Sequence, residues 1–115
     1  MKKITLTCAH AVVKYLIAQK ILINGKKEPL FPGVFGIFGH GNVACLGQAL
    51  EENQKDLPTY RGHHEQNMAL TGIGYARAKR RQQIFVATSS VGPGATNMVT
   101  AAAVAMSNRL PILFL

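Results

Sequence analysis

The chain has 115 residues, 48% of them hydrophobic and 16% charged, which is enough apolar material for one compact core and too little for two. No run of about 18 apolar residues occurs, so a membrane-spanning helix is excluded and a cytoplasmic location with no membrane partner is expected. The formal charge of +8 raises nucleic acid as a partner, but the positive residues are dispersed. Their densest run, Arg77 with Lys79, Arg80 and Arg81, falls at the end of a predicted helix, where cations suit the helix dipole, so no nucleic-acid partner is expected.

In residues 7–19, Val12, Val13, Leu16 and Ile17 recur at helical spacing behind a Thr5 or Thr7 cap, which predicts an amphipathic helix. Residues 24–29 form a polar stretch with turn chemistry and, with the Phe31-Pro32-Gly33 that follows, are expected to loop widely and in solvent. Residues 34–38 are a short apolar run closed by Gly39-His40-Gly41-Asn42, as in a strand buried on both faces with a tight turn at its end. A helix over about residues 43–52 should follow, then a weak strand at Thr59, Tyr60 and Arg61.

From His64 to Arg80 helical spacing returns through Met68, Ala69, Gly72, Ile73 and Ala76. Residues 84–88 are rich in β-formers and predict a third strand. The turn from Ser89 to Gly94 leads into a helix with apolar Val99, Ala102, Ala103 and Met106, and residues 111–115 open another strand. This alternation predicts an α/β fold, a parallel sheet with helices on both faces and ligand sites at the carboxyl ends of the strands. An apolar strand at the end of the sequence suggests that 1–115 is part of a domain, truncated at its C-terminus.

Cys8 and Cys45 lie far apart, which predicts buried thiols and neither a disulfide framework nor a redox motif. Glu65 heads the middle helix on the face that carries Met68, Ala69, Gly72 and Ile73. It is either a helix-start carboxylate favoured by the dipole or a partly desolvated acid with a raised pKa. His63 and His64 do not share a helical face and no later His completes a ligand set, so they are expected to line a polar pocket or a solvated turn, with no metal site in this stretch. Gly92-Pro93-Gly94 before a helix is compatible with an anion site or with a plain tight connection. His40, held between glycines at a strand end, is either a site residue or a solvated turn histidine.

Three motifs in order, the strand ending at residues 38–42, "RGHHEQNMA" at residues 61–69 with Gly74-Tyr75-Ala76-Arg77, and residues 92–97, resemble the pyrimidine-binding domain of thiamine-diphosphate enzymes of the acetohydroxyacid synthase-like superfamily. Within that superfamily, "NGKKEPLFPGVF", "IFGHGNVACLGQAL" and His40, where synthases usually show Pro, are most similar to the branch of C–C hydrolases that opens a cyclic dione in myo-inositol catabolism.

The resemblance implies thiamine diphosphate and magnesium as cofactors, with diphosphate and metal held by a C-terminal domain whose Gly-Asp-Gly…Asn motif is absent from this sequence. Middle and diphosphate-binding domains would complete a homo-oligomer with its active site between subunits. It further implies that Glu65 is the glutamate that hydrogen-bonds N1′ of the cofactor's aminopyrimidine, so that the 4′-nitrogen can remove the thiazolium C2 proton, and it favours the desolvated-acid alternative. Gly92 and Asn97 fall in the family's loop beside that ring, and His40, Asn42, His64 and Ser90 are candidates for the substrate pocket. Asn67 and Met68 stand where synthases tend to have a small residue, which weakens substrate inference from them. The alternatives are a fragment of an acetolactate synthase-like carboligase or 2-keto acid decarboxylase, and, from another class, an inactive truncated product or a non-catalytic α/β module.

Overall fold

The computed structural model describes residues 3–115. Thr7 caps the first helix, α1 (Cys8–Ala18), its side chain accepting from the backbone N–H of His10 and its backbone extended, as a cap residue requires. Val13 and Leu16 are the buried positions of α1.

Where a wide loop was expected, the chain forms a β-hairpin: β1 (Lys20–Ile23) pairs antiparallel with β2 (Lys26–Pro29), with Ile23 opposite Lys26. Asn24 and Gly25, at φ 50° and 77°, make the two-residue connection. Two consecutive left-handed residues give the turn a twist that matches paired strands, and Asn-Gly is the dipeptide that adopts it most readily. Backbone pairing overrode the polarity of Lys26, Lys27 and Glu28.

The main sheet has four parallel strands, β3 (Val34–Gly36), β4 (Thr59–Arg61), β5 (Val86–Thr88) and β6 (Leu113–Phe114), in the order β4-β3-β5-β6. Between β3 and β4 runs a continuous helical segment: α2 (His40–Asn42), a π-helical stretch (Val43–Gly47) and α3 (Gln48–Glu52). The expected turn at residues 39–42 is therefore the first turn of a helix. Helix α4 (Glu65–Ala78) connects β4 to β5, and α5 (Pro93–Asn97) with α6 (Val99–Asn108) connects β5 to β6.

Two cores sandwich the sheet, because successive residues of a strand face opposite ways. Val86 of β5 joins Val34, Val13, Leu16, Ala49, Leu50 and Leu57 on the side of α1 and α3. Its neighbour Ala87 joins Ala69, Ile73, Met98, Ala101 and Ala105 on the side of α4 and α6. Helices thus cover both faces, as the alternating pattern predicts.

Helix α6 buries Ala101 and Ala105, with Met98 before it, while Val99 and Met106 are 62% and 82% exposed and Ala103 is also exposed. A helix this apolar all round has no single stripe from which its inner face can be read. The expectation of buried thiols is corrected: Cys8 and Cys45 are exposed, the first at the start of α1 and the second inside the π-helical stretch.

Strand order reverses between β3 and β5. The connection after β3 leads outward to β4 and the one after β5 leads the other way to β6, over opposite faces of the sheet. Such a switch point opens a crevice beyond the carboxyl ends of the two strands. The turns that follow β3 and β5 meet there: Asn42 Nδ2 donates to Ser89 O at 3.0 Å, and a Cβ on Gly39 would come within 2.7 Å of the Ser90 Cβ.

Candidate functional site

Glu65 owes its place to His64, whose backbone is extended at φ −155° and whose Nδ1 accepts from the Asn67 N–H at 3.4 Å. This cap starts α4 at Glu65, and the next turns bury Met68, Ala69, Gly72, Ile73 and Ala76, the face expected from spacing. The carboxylate is anchored from across the crevice by Asn97, the last residue of α5, whose Nδ2 donates to Oε2 at 2.9 Å. Asn97 Nδ2 also lies 3.4 Å from His64 Nε2.

Gly92 turns the chain into α5 with φ 72°, in the left-handed region where a side chain is strained. Thr96 closes the turn, its N–H and Oγ1 both donating to Gly92 O, at 2.9 and 3.0 Å. Gly94 is buried, and a Cβ there would stand 2.5 Å from Ser90 Oγ and 3.0 Å from Glu65 Oε1. Its lack of a side chain keeps the Oε1 side of the carboxylate approachable.

Glu65, Ser90, Gly92, Pro93, Gly94 and Asn97, with Thr96, line one cleft of about 870 Å³. His64 reaches it only at the edge, through Asn97. Asn42 is tied to the cleft's supporting loop through Ser89, whereas His40 is exposed and is not among the lining residues. His63 and His64 face a separate hollow of about 280 Å³ with Arg61, Asn67 and Met68. Among the described residues no group of three or more His, Cys, Asp or Glu is placed to hold a metal ion, and no helix is long and apolar enough to cross a membrane. Gly94 and Thr96 fall within the 92–97 motif, but the sequence gives neither of them a role of its own; the cleft shows the part each plays.

The expectation of a raised Glu65 pKa is reversed. The Asn97 hydrogen bond, then the N–H of Glu65 itself, hold its carboxyl below the ordinary glutamate value; partial burial opposes them weakly, and His64 adds a small lowering. A half-buried carboxylate with amide donors gains more from them than it loses in hydration. Removing the donor in Asn97→Ala should bring the Glu65 pKa back toward the ordinary value in a carboxyl-carbon NMR titration; an unchanged pKa would contradict this assignment. The sign for stability follows from the depressed pKa. The bond stabilises the fold above the unfolded-state glutamate pKa, and that contribution fades as pH falls through the folded value, so wild type and Asn97→Ala should converge in acid.

A family model described as "Thiamine pyrophosphate enzyme, N-terminal TPP binding domain" matches residues 28–115. Over all 115 residues the chain is 53% identical to the 3D-(3,5/4)-trihydroxycyclohexane-1,2-dione hydrolase of Geobacillus thermodenitrificans (strain NG80-2) and 50% identical to the protein of that name in Clostridium tetani (strain Massachusetts / E88). Over 114 residues, 99% of the chain, it is 49% identical to the Listeria innocua protein of the same name. The chain spans 18% of the length of each of these relatives.

Proposed function

The chain belongs to the thiamine pyrophosphate enzyme family, matching its N-terminal TPP binding domain, and on that premise we propose that it carries the cofactor-activating carboxylate of a hydrolase that opens the ring of 3D-(3,5/4)-trihydroxycyclohexane-1,2-dione. The product would be 5-deoxy-glucuronic acid, in inositol catabolism in the cytoplasm. Identity of about half across the whole chain to hydrolases of that name supports this substrate over the 2-keto acids of synthases and decarboxylases. The observation that carries the reading is Glu65 at the switch-point cleft, with one oxygen anchored by Asn97 and the other facing a glycine.

The cleft fits the aminopyrimidine end of thiamine diphosphate. It offers a carboxylate oxygen for a ring nitrogen, and a glycine where a Cβ would crowd that oxygen. It does not fit the diphosphate end, since neither Lys nor Arg lines it. In the proposed reading, other parts of a longer protein would hold the diphosphate and magnesium, in a homo-oligomer whose active site lies between subunits. When bound, thiamine diphosphate supplies a carbon nucleophile and an electron sink for breaking the ring C–C bond.

Glu65 is the group of this chain that handles a proton. Asn97 holds Oε2 and so fixes the plane of the carboxylate, leaving Oε1 to hydrogen-bond the ring nitrogen. In the open cleft Glu65 is ionised at neutral pH. Covering the cleft with an aromatic ring removes water and raises its proton affinity, which suits it to hold a proton at Oε1. Gly92 lets the chain turn tightly into α5 and Gly94 leaves the loop bare beside that oxygen, and Ser90, with Asn42, His40 and His64 farther out, are the candidates for meeting substrate.

Gly94→Ala should weaken thiamine diphosphate binding by at least roughly tenfold, the scale of about 1.4 kcal/mol for a displaced contact, because the methyl group would crowd Glu65 Oε1 and Ser90 Oγ. Wild-type affinity in a calorimetric titration would contradict the placement. The reaction itself is tested by assaying the full-length protein on the cyclic dione and on pyruvate: ring opening is expected, and activity on pyruvate alone would overturn the proposal.

A further inference from the structure

Away from the Glu65 cleft, Cys8 and Cys45 line a single cavity of about 240 Å³ that shares no residue with the cleft. Both thiols are free and exposed. Cys8 is the first residue of α1, and Cys45 is the middle residue of the π-helical stretch that packs against α1.

The frame around the thiols is braced on one side and irregular on the other. His10 Nε2 lies 2.8 Å from Glu52 Oε2, and Gln48 Nε2 donates to Glu52 Oε1 at 2.9 Å, so α1 and α3 are tied together beside the cavity. Residues 3–7, on the other side of Cys8, have no regular structure. The π-helical stretch adds a residue to its turn, with the Gln48 N–H reaching back to Val43 O, and so re-aims the side chains of that turn relative to an α-helix.

We propose that Cys8 and Cys45 form a dithiol site that closes reversibly into an intramolecular disulfide, with a low-molecular-weight disulfide such as oxidised glutathione as the oxidant. One cysteine thiolate attacks a glutathione sulfur, forming a mixed disulfide and releasing the first glutathione thiolate. The other cysteine thiolate then attacks the protein sulfur of the mixed disulfide, forming the Cys8–Cys45 bond and releasing the second glutathione. Two electrons pass from the protein to the glutathione disulfide, and the two cysteine protons end on two glutathione thiols. The closed form would staple α1 to the helix that begins at His40, beside the crevice, and glutathione would reopen it.

The test is equilibration of the full chain in glutathione redox buffers, followed by acid quench, digestion and mass spectrometry of the peptides containing Cys8 and Cys45. The expected result is a Cys8–Cys45 linkage whose effective concentration is at least roughly tenfold above that in concentrated urea, where a flexible chain sets it in about the millimolar range. Cys8→Ser and Cys45→Ser should each yield only the glutathione mixed disulfide at the remaining thiol. Mixed disulfides alone in the folded wild-type chain, or equal effective concentrations with and without urea, would overturn the proposal.

Discussion

Glu65→Gln in the full-length enzyme is expected to lower ring-opening turnover by at least about 100-fold, the scale of a lost acid–base role, while leaving the fold largely intact. The amide is the same size as the carboxylate and sits at the first position of α4, where His64 still caps the helix. Its oxygen can still accept from Asn97, so the geometry of the cleft survives. What is lost is an oxygen at the Gly94 side able to take or hold a proton, because an amide presents either a nitrogen or an oxygen that does not titrate. Cofactor binding should therefore change less than turnover. Near-normal turnover in this variant would remove Glu65 from the mechanism.

Leu50→Ala is expected to destabilise the chain by about 2–5 kcal/mol, the range for truncating a buried leucine. Leu50 is 2% exposed and packs in the core formed by α1, α3, β3 and β5, where Val13, Val34, Leu57 and Val86 have no exposure at all. Neighbours from several different elements cannot all move into the space left. Since domains of this size are stable by roughly 5–15 kcal/mol, one such cavity removes a large share. Met106→Ala, at an 82% exposed position, should change stability by less than about 0.5 kcal/mol. Comparable denaturation midpoints for the two variants would contradict the core assignment.

The elements read most clearly from the sequence were those with one decisive property. Residues 34–36 and 86–88 are short runs buried by the sheet, and α4 shows its inner face because Met68, Ala69, Gly72, Ile73 and Ala76 recur at helical spacing. The hairpin of β1 and β2 was missed because its second strand is Lys-Lys-Glu-Pro, polar enough to resemble a loop; the cue lay in Asn24-Gly25 and its left-handed turn. The inner face of α6 is not legible in the sequence because Val, Ala and Met surround that helix.

At the cleft, the family motifs point to Glu65, Gly92, Asn97 and Ser90 as candidates, and the fold gathers these four at one place. The motifs were not sufficient for the electrostatics. The lowered Glu65 pKa depends on a hydrogen bond from a residue 32 positions away, and no local spacing encodes that contact. His40 was chosen for its place between two glycines, but the helix that starts there turns it to solvent.

The role of Glu65 is tested most directly by hydrogen–deuterium exchange at C2 of thiamine diphosphate, measured by quenched-flow NMR in the full-length enzyme with cofactor saturating. Glu65→Gln should slow that exchange by at least about 100-fold relative to wild type, in line with an acid–base contribution. Equal exchange rates in the two proteins would show that this carboxylate does not activate the cofactor.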